Sequence, residues 1–180
     1  NVRTVLDRTA KPGQRRWLCV RVPLRTREHG ELGIDLVKWV AAGVDMVNLS
    51  GHFVTEQQSD LAKVCQLVPT ASVYLETTFV SHRYPKPSGP RTSRNEVYRK
   101  MTAEQFYTAA HLAYSRGGVG LSAFNFAYYR SLGETRTEPP FEVLDRVRDP
   151  DWVARQPQHY FTRKYGAPAW PSLLRSKGRE

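Results

Sequence analysis

At 180 residues the chain is long enough for one sizeable hydrophobic core, and 40% hydrophobic with 24% charged residues is an ordinary globular composition. No apolar run approaches the roughly 18 residues that a membrane helix needs, which argues against a transmembrane segment. The formal net charge of +10 favours anionic partners, yet Arg and Lys gather at Arg15-Arg16, between Arg83 and Lys100 and from Arg163 to Arg179, where solvated loops would place them.

The sequence opens on Asn1 inside what reads as a helix carrying Val2, Val5 and Leu6 on one face and ending before Lys11-Pro12-Gly13. That beginning reads as the interior or processed start of a longer protein, and it leaves the compartment open. Trp17 to Pro23 is a short, nearly continuous apolar run, the pattern of a strand covered on both faces. Leu32, Ile34, Leu36, Val37, Trp39, Val40 and Ala41 predict a helix closed by Gly43 in a left-handed cap. Val44 to Ser50 is the second expected strand.

Thr55-Glu56-Gln57-Gln58 fits a capping box ahead of Leu61, Val64, Cys65 and Val68, which recur at helical spacing. Ser72 to Phe79, rich in β-branched and aromatic residues, is the third strand. From Val80 to Lys100 the sequence has no periodic pattern, and about 20 such residues suggest a functional loop. A second capping box, Thr102 to Gln105, starts a helix through Phe106, Ala109, Ala110, Ala113 and Tyr114 that Gly117-Gly118 stops. Val119 to Phe126 is the fourth strand. Beyond Pro139-Pro140, Phe141, Val143, Leu144 and Val147 suggest a short helix, Asp149-Pro150-Asp151 starts another, and residues 166 to 180 read as a basic tail or linker.

Strand starts near Trp17, Val44 and Ser72 recur at about 27 residues, which is βα-unit spacing, and the fourth is delayed by roughly the length of the loop. Such parallel strands build either an open doubly wound sheet or part of a (β/α)8 barrel. No Gly-x-Gly-x-x-Gly follows any strand, which counts against a dinucleotide cofactor. The five histidines and two cysteines show no metal-ligand spacing, and Cys19 and Cys65 read as two small buried hydrophobes.

Glu76 is the residue that asks for an explanation. A lone carboxylate in a buried strand is costly unless paired, and at the carboxyl end of a barrel strand it points into the site where such barrels do chemistry. Arg21, Asn48, Ser50, His52, Thr78, Asn125, Tyr128 and Tyr129 fall at or just after the other strand ends. Together they would form a polar pocket with aromatic walls suited to a sugar ring. Glu76 reads either as a nucleophile or acid/base in glycosidic hydrolysis or as a rim carboxylate paired with Arg21. Hydrolysis needs a second carboxyl group, about 5 Å away for retention or about 6.5–9.5 Å for inversion. Asp45 lies at the wrong end of its strand, and Glu28, Glu31 and Glu56 reach the pocket only if their loops fold inward. Asn125 needs a partner for its amide, either a ligand hydroxyl or neighbouring backbone. Tyr128 and Tyr129 serve sugar stacking or plain packing.

Arg21-Val22-Pro23, Val47 to Ser50, Tyr74-Leu75-Glu76, Met101 to Phe106, Ala123 to Phe126 and Pro139 to Leu144 resemble the second half of an uncharacterised group of bacterial glycosyl-hydrolase-like proteins, over about residues 1 to 161. The resemblance implies an α/β chain of parallel β/α units forming half of a (β/α)8 TIM-type barrel, its fifth to eighth strands, over residues 1–138. Residues 139–180 would be a helical extension and basic tail. In the broad clan of retaining barrel glycosidases the nucleophile is a Glu ending the seventh strand, where Glu76 would fall; Arg21, Asn48, His52, Asn125 and Tyr128, from their places at the strand ends, are the expected substrate-binding residues. The clan's acid/base Glu ends a fourth strand that this chain lacks, and Phe124-Asn125-Phe126 stands where the clan carries a tryptophan. The partners so implied are carbohydrate and the missing half of the barrel, or else self-association, because half a barrel has open edges. A non-catalytic carbohydrate-binding barrel is the alternative. A polyanion-binding module using the basic loop and tail is another, although only Tyr84 and Tyr98 stand near that loop to stack on nucleic-acid bases.

Overall fold

The computed structural model describes residues 2–85, 96–131 and 136–162. In chain order its elements are α1 (Val2–Thr9), β1 (Cys19–Pro23), α2 (Thr26–Glu31), α3 (Leu36–Ala41), β2 (Met46–Ser50), α4 (Leu61–Leu67), β3 (Ser72–Thr77), β4 (Val80–Pro85), β5 (Glu96–Lys100), α5 (Ala103–Ser115), β6 (Gly120–Ala123), a 3₁₀ turn (Tyr128–Ser131), α6 (Val143–Arg146) and α7 (Pro150–Ala154). Four strands form a parallel sheet in the order β1-β2-β3-β6, and β4 and β5 form a separate antiparallel pair.

The register sets Arg21, Asn48, Tyr74 and Gly120 side by side across the sheet. Because side chains alternate along a strand, Val22, Val47, Leu49, Val73 and Leu75 share one face. There they pack with Leu36 of α3, Leu61 and Val64 of α4 and Ala113 of α5 into the main core. The same alternation sends Arg21, Asn48, Ser50, Tyr74, Glu76 and Ser122 to the opposite face. Arg21, Asn48, Tyr74 and Ser122 on that face remain partly exposed. A parallel sheet is ordinarily covered on both sides; here, among the described residues, the helices of the main core lie on one.

A second core sits beyond the carboxyl ends of the strands. Val54, Phe79, Val80, Met101, Phe106, Phe126, Tyr129 and Val143 form it, joining the β4-β5 pair, α5, the segment after β6, and α6. Phe106 and Phe126 have ring centroids 5.3 Å apart, and Phe126 meets Phe141 edge-on at 5.7 Å. The described part of the C-terminal extension packs onto α5. Tyr107 meets Trp152 edge-on at 5.0 Å, and the Tyr114 hydroxyl donates to the Val147 carbonyl at 2.9 Å.

Several local expectations need correction. The helix expected from Leu32 starts only at Leu36, because Gly33 turns at φ +69° and Asp35 caps the helix by accepting from the Lys38 amide at 3.0 Å, and a short helix not expected from the sequence, α2, precedes that turn. Thr55 does not cap α4. Its hydroxyl donates to the Thr78 carbonyl at 2.9 Å and accepts from the Thr78 amide at 2.8 Å, tying the β2 loop to the end of β3, and α4 starts only at Leu61. The patternless stretch after Phe79 contains a β-ladder at its two ends, β4 with β5, while residues 86–95 of the basic loop and residues 163–180 of the tail lie outside the described residues. The fourth parallel strand stops at Ala123, and Asn125 takes φ +49°. Cys19 is exposed and Cys65 half-buried, so neither is the buried hydrophobe expected. Val2 and Val5 are exposed too. The Thr102–Gln105 capping box, the stop at Gly117, and the Asp149 cap of α7 form as the sequence predicts.

Candidate functional site around Glu76

Glu76 is the penultimate residue of β3 and is 2% exposed. Its side chain lies on the face away from the helices, because Leu75 and Val73 occupy the other. Taking a carboxylate out of water costs several kcal/mol unless partners replace the lost hydration, and four donors do so here. Arg21 Nε donates to Oε2 at 2.6 Å and Arg21 Nη2 donates to Oε1 at 2.7 Å, a bidentate clamp. Asn48 Nδ2 donates to Oε2 at 3.1 Å, and Ser50 Oγ donates to Oε1 at 2.5 Å. Charge-assisted bonds of this kind are roughly twice as strong as neutral ones, and only Arg offers the planar fork that the two oxygens match.

The partners are held in turn. Asn48 Oδ1 accepts from Ser122 Oγ at 2.6 Å, which fixes the amide so that its NH2 faces Glu76. Ser50 Oγ accepts from the His52 amide at 2.9 Å, and the His52 carbonyl accepts from Arg21 Nη2 at 3.1 Å. His52 makes this turn at φ +70°. The Arg21 guanidinium lies over the Phe124 ring, 4.1 Å from its centroid, within cation–π range. One strand residue each from β1, β3 and β6 and two from β2 thus meet in one connected network.

Of the residues expected at the site, Arg21, Asn48 and Ser50 join Glu76 directly, and Arg21 does so from mid-strand rather than from the strand end. His52 contributes its backbone amide and carbonyl, while its ring meets Phe53 edge-on at 3.8 Å. The Asn125 carbonyl caps the following turn by accepting from the Tyr128 amide at 3.1 Å. Tyr129 is buried in the second core and packs at 6.3 Å from Tyr98, whereas Tyr128 is 66% exposed and meets Tyr129 edge-on. Thr78 is buried with its hydroxyl bonded to the Val80 carbonyl, so it serves the loop and not the pocket.

The chain matches no protein-family model and no curated protein.

Sequence inspection passed over Ser122 and Phe124. The alternation signal was available for Ser122, since pairing Glu76 with it across β3 and β6 puts both on one face. Nothing local could have placed Phe124 over Arg21, because the two belong to opposite edges of the sheet, Arg21 in β1 and Phe124 just after β6.

The other acidic residues sit apart from this network. Asp45 lies just before β2, at the opposite end of the sheet, where it accepts from the Leu18 amide at 2.8 Å and Arg3 at 2.9 Å, and also from Arg15. Burial pushes its carboxyl up, but the Leu18 amide and the two arginines outweigh that and hold it below its ordinary value. Glu28 of α2 is buried with Arg25, Arg27 and Glu56 as charged neighbours, and burial pushes its carboxyl above the usual range. Glu56 pairs with Arg25 at 3.5 Å. Among the described residues no cluster of His, Cys, Asp or Glu is arranged to hold a metal ion, and no helix is long and apolar enough to cross a membrane.

Proposed function

We propose that the four parallel strands are the later half of a glycoside-hydrolase-like (β/α)8 barrel and that the Glu76 face lines a carbohydrate-binding mouth. The observation behind this reading is Glu76 near the carboxyl end of β3, on the face away from the helices, clamped by Arg21, Asn48 and Ser50. A nucleophile in retaining glycoside hydrolysis has to be ionised and aimed, and cationic and amide donors serve both needs. In the completed barrel a Glu76 oxygen attacks the anomeric carbon as the glycosidic C–O bond breaks. The leaving oxygen takes a proton from an acid on the other half, and water then hydrolyses the glycosyl ester. Exposed Tyr128 and the Asn125 turn stand beyond β6 as further sugar contacts.

The test is hydrolysis of aryl glycosides by a longer polypeptide that contains this chain and the β/α units completing the barrel, with and without Glu76→Gln. Activity lost in the variant supports the nucleophile, and equal activity in both removes it.

One observation favours a second reading, a carbohydrate-binding barrel without catalysis. A carboxylate has about four lone-pair sites, and donors from Arg21, Asn48 and Ser50 already take four bonds on Glu76. A 2-fluoro sugar separates the two readings, since only a nucleophile becomes covalently labelled, which mass spectrometry detects.

A further inference from the structure

α5 and α6 leave a cleft of about 240 Å³ between themselves and β6. Its walls are rings and aliphatic chains: Phe106 and Tyr114 from α5, Val143 and Leu144 from α6, Leu121 from β6 and Phe126 beyond it. Tyr114 closes the floor. Its hydroxyl stands 3.6 Å from where a Cβ on Gly120 would lie, and Tyr74 Cε1 stands 3.7 Å from the same point. Any side chain at position 120 would therefore start between the two phenol rings, and glycine leaves that space empty. Val119 and Leu144, both nearly half exposed, mark the open side. The walls are fixed by the Tyr114–Val147 hydrogen bond and by Val143 and Phe126 buried in the second core, so the cleft is preformed.

The lining selects an occupant by size, charge and hydrogen bonding. An apolar cavity of about 150 Å³ holds one benzene ring, so this larger cleft suits a two-ring molecule. Among the described residues Arg148 is the one ionised side chain in the lining; its Nε donates to the Asp145 carbonyl at 3.2 Å, and Asp149 follows it in sequence. A rim of mixed sign favours neither an anion nor a cation, which leaves an uncharged occupant. Tyr114 supplies the polar contact. Its O–H is donated to the Val147 carbonyl at 2.9 Å, so its oxygen is left as an acceptor. The complementary group on the occupant is an N–H or O–H donor.

We propose that the cleft between α5, α6 and β6 binds an uncharged, flat, two-ring aromatic molecule whose N–H or O–H donates to Tyr114 Oη. None of the residues that bond Glu76 lines this cleft, so the inference does not depend on the chemistry proposed there.

The test titrates indole into the whole chain and follows the protein's amide NMR shifts. Saturable binding is expected, with shifts centred on Gly120, Leu121 and Val147. Indole should bind about two- to tenfold tighter than benzofuran, which has the same shape and no donor. Tyr114→Phe should abolish that preference while benzofuran still binds; a preference kept in this variant would overturn the role of Tyr114. Leu144→Trp and Val119→Trp, both at half-exposed positions and checked for native circular dichroism, should each weaken indole at least about tenfold by filling the cleft. Undiminished binding in both variants would overturn the site, as would shifts centred elsewhere or no saturable binding up to millimolar indole. Equal affinities for indole and benzofuran in the unaltered chain would overturn the donor.

Discussion

Glu76 and Arg21 form a unit whose two halves are unequal when removed. Glu76 is 2% exposed in the intact chain and without Arg21 would keep only neutral donors, and breaking a buried pair on one side costs about 3–5 kcal/mol. Arg21→Ala is therefore expected to lower stability by about 3 kcal/mol, near the low end because the arginine itself is partly exposed. Glu76→Gln keeps the volume and removes the charge, and should cost less. Urea unfolding of both variants checks the order, and a larger loss for Glu76→Gln would contradict it. Asp45 governs acid stability at the other end of the sheet. Its folded value lies below its unfolded one, so its contribution is complete above the ordinary carboxylate range, about pH 4, and is lost as pH falls through the folded value. Asp45→Asn should flatten the decline of melting temperature in acid, and a decline unchanged in slope would refute that assignment.

The helices obey local chemistry where tertiary contacts do not compete. In the capping box of α5 the Thr102 hydroxyl accepts from the Gln105 backbone amide at 3.4 Å and the Gln105 side-chain Oε1 accepts from the Thr102 backbone amide at 3.1 Å. Thr102→Ala is expected to cost about 1 kcal/mol. Phe106, four residues on and 1% exposed at the centre of the second core, should cost about 3–5 kcal/mol as Phe106→Ala. Calorimetry of the two variants tests whether capping or packing dominates α5, and near-equal losses would mean that the second core is looser than its burial indicates. The β4-β5 pair shows the opposite case. Lys100 donates to the Tyr129 carbonyl and lies 5.3 Å from the Phe79 ring, and burial pushes its ammonium below the ordinary lysine value. An element fastened in this way draws its order from the rings beneath it, which no periodicity in residues 80–100 announces.

At the scale of the molecule, the governing fact among the described residues is a parallel sheet with one face packed by helices and two terminal strands. β2 and β3 are paired on both sides, while β1 and β6 each have a strand neighbour on one side. Amide hydrogen exchange should therefore be slowest in Val47, Leu49, Val73 and Leu75, and faster at the outward amides of β1 and β6, since local opening follows unpaired, solvated backbone. Uniform protection across all four strands would show that the outer edges are already occupied in solution. The covered face gives stability through the aliphatic core, and the other face, freed from that duty, holds the polar network.

The sequence by itself determined the alternation of strands and helices, the parallel β/α order, the α5 and α7 caps, and Glu76 as a costly buried carboxylate, because these follow from side-chain period, local hydrogen bonds and desolvation acting within a few residues. It missed the break at Gly33 and the use of Thr55 because each is settled by what the neighbouring segment offers. Only the tertiary structure decided which groups answer Glu76, since Arg21, Asn48 and Ser50 lie 55, 28 and 26 residues away along the chain. Strand register alone brings them together, and a register shifted by one residue would turn every one of those side chains into the opposite face.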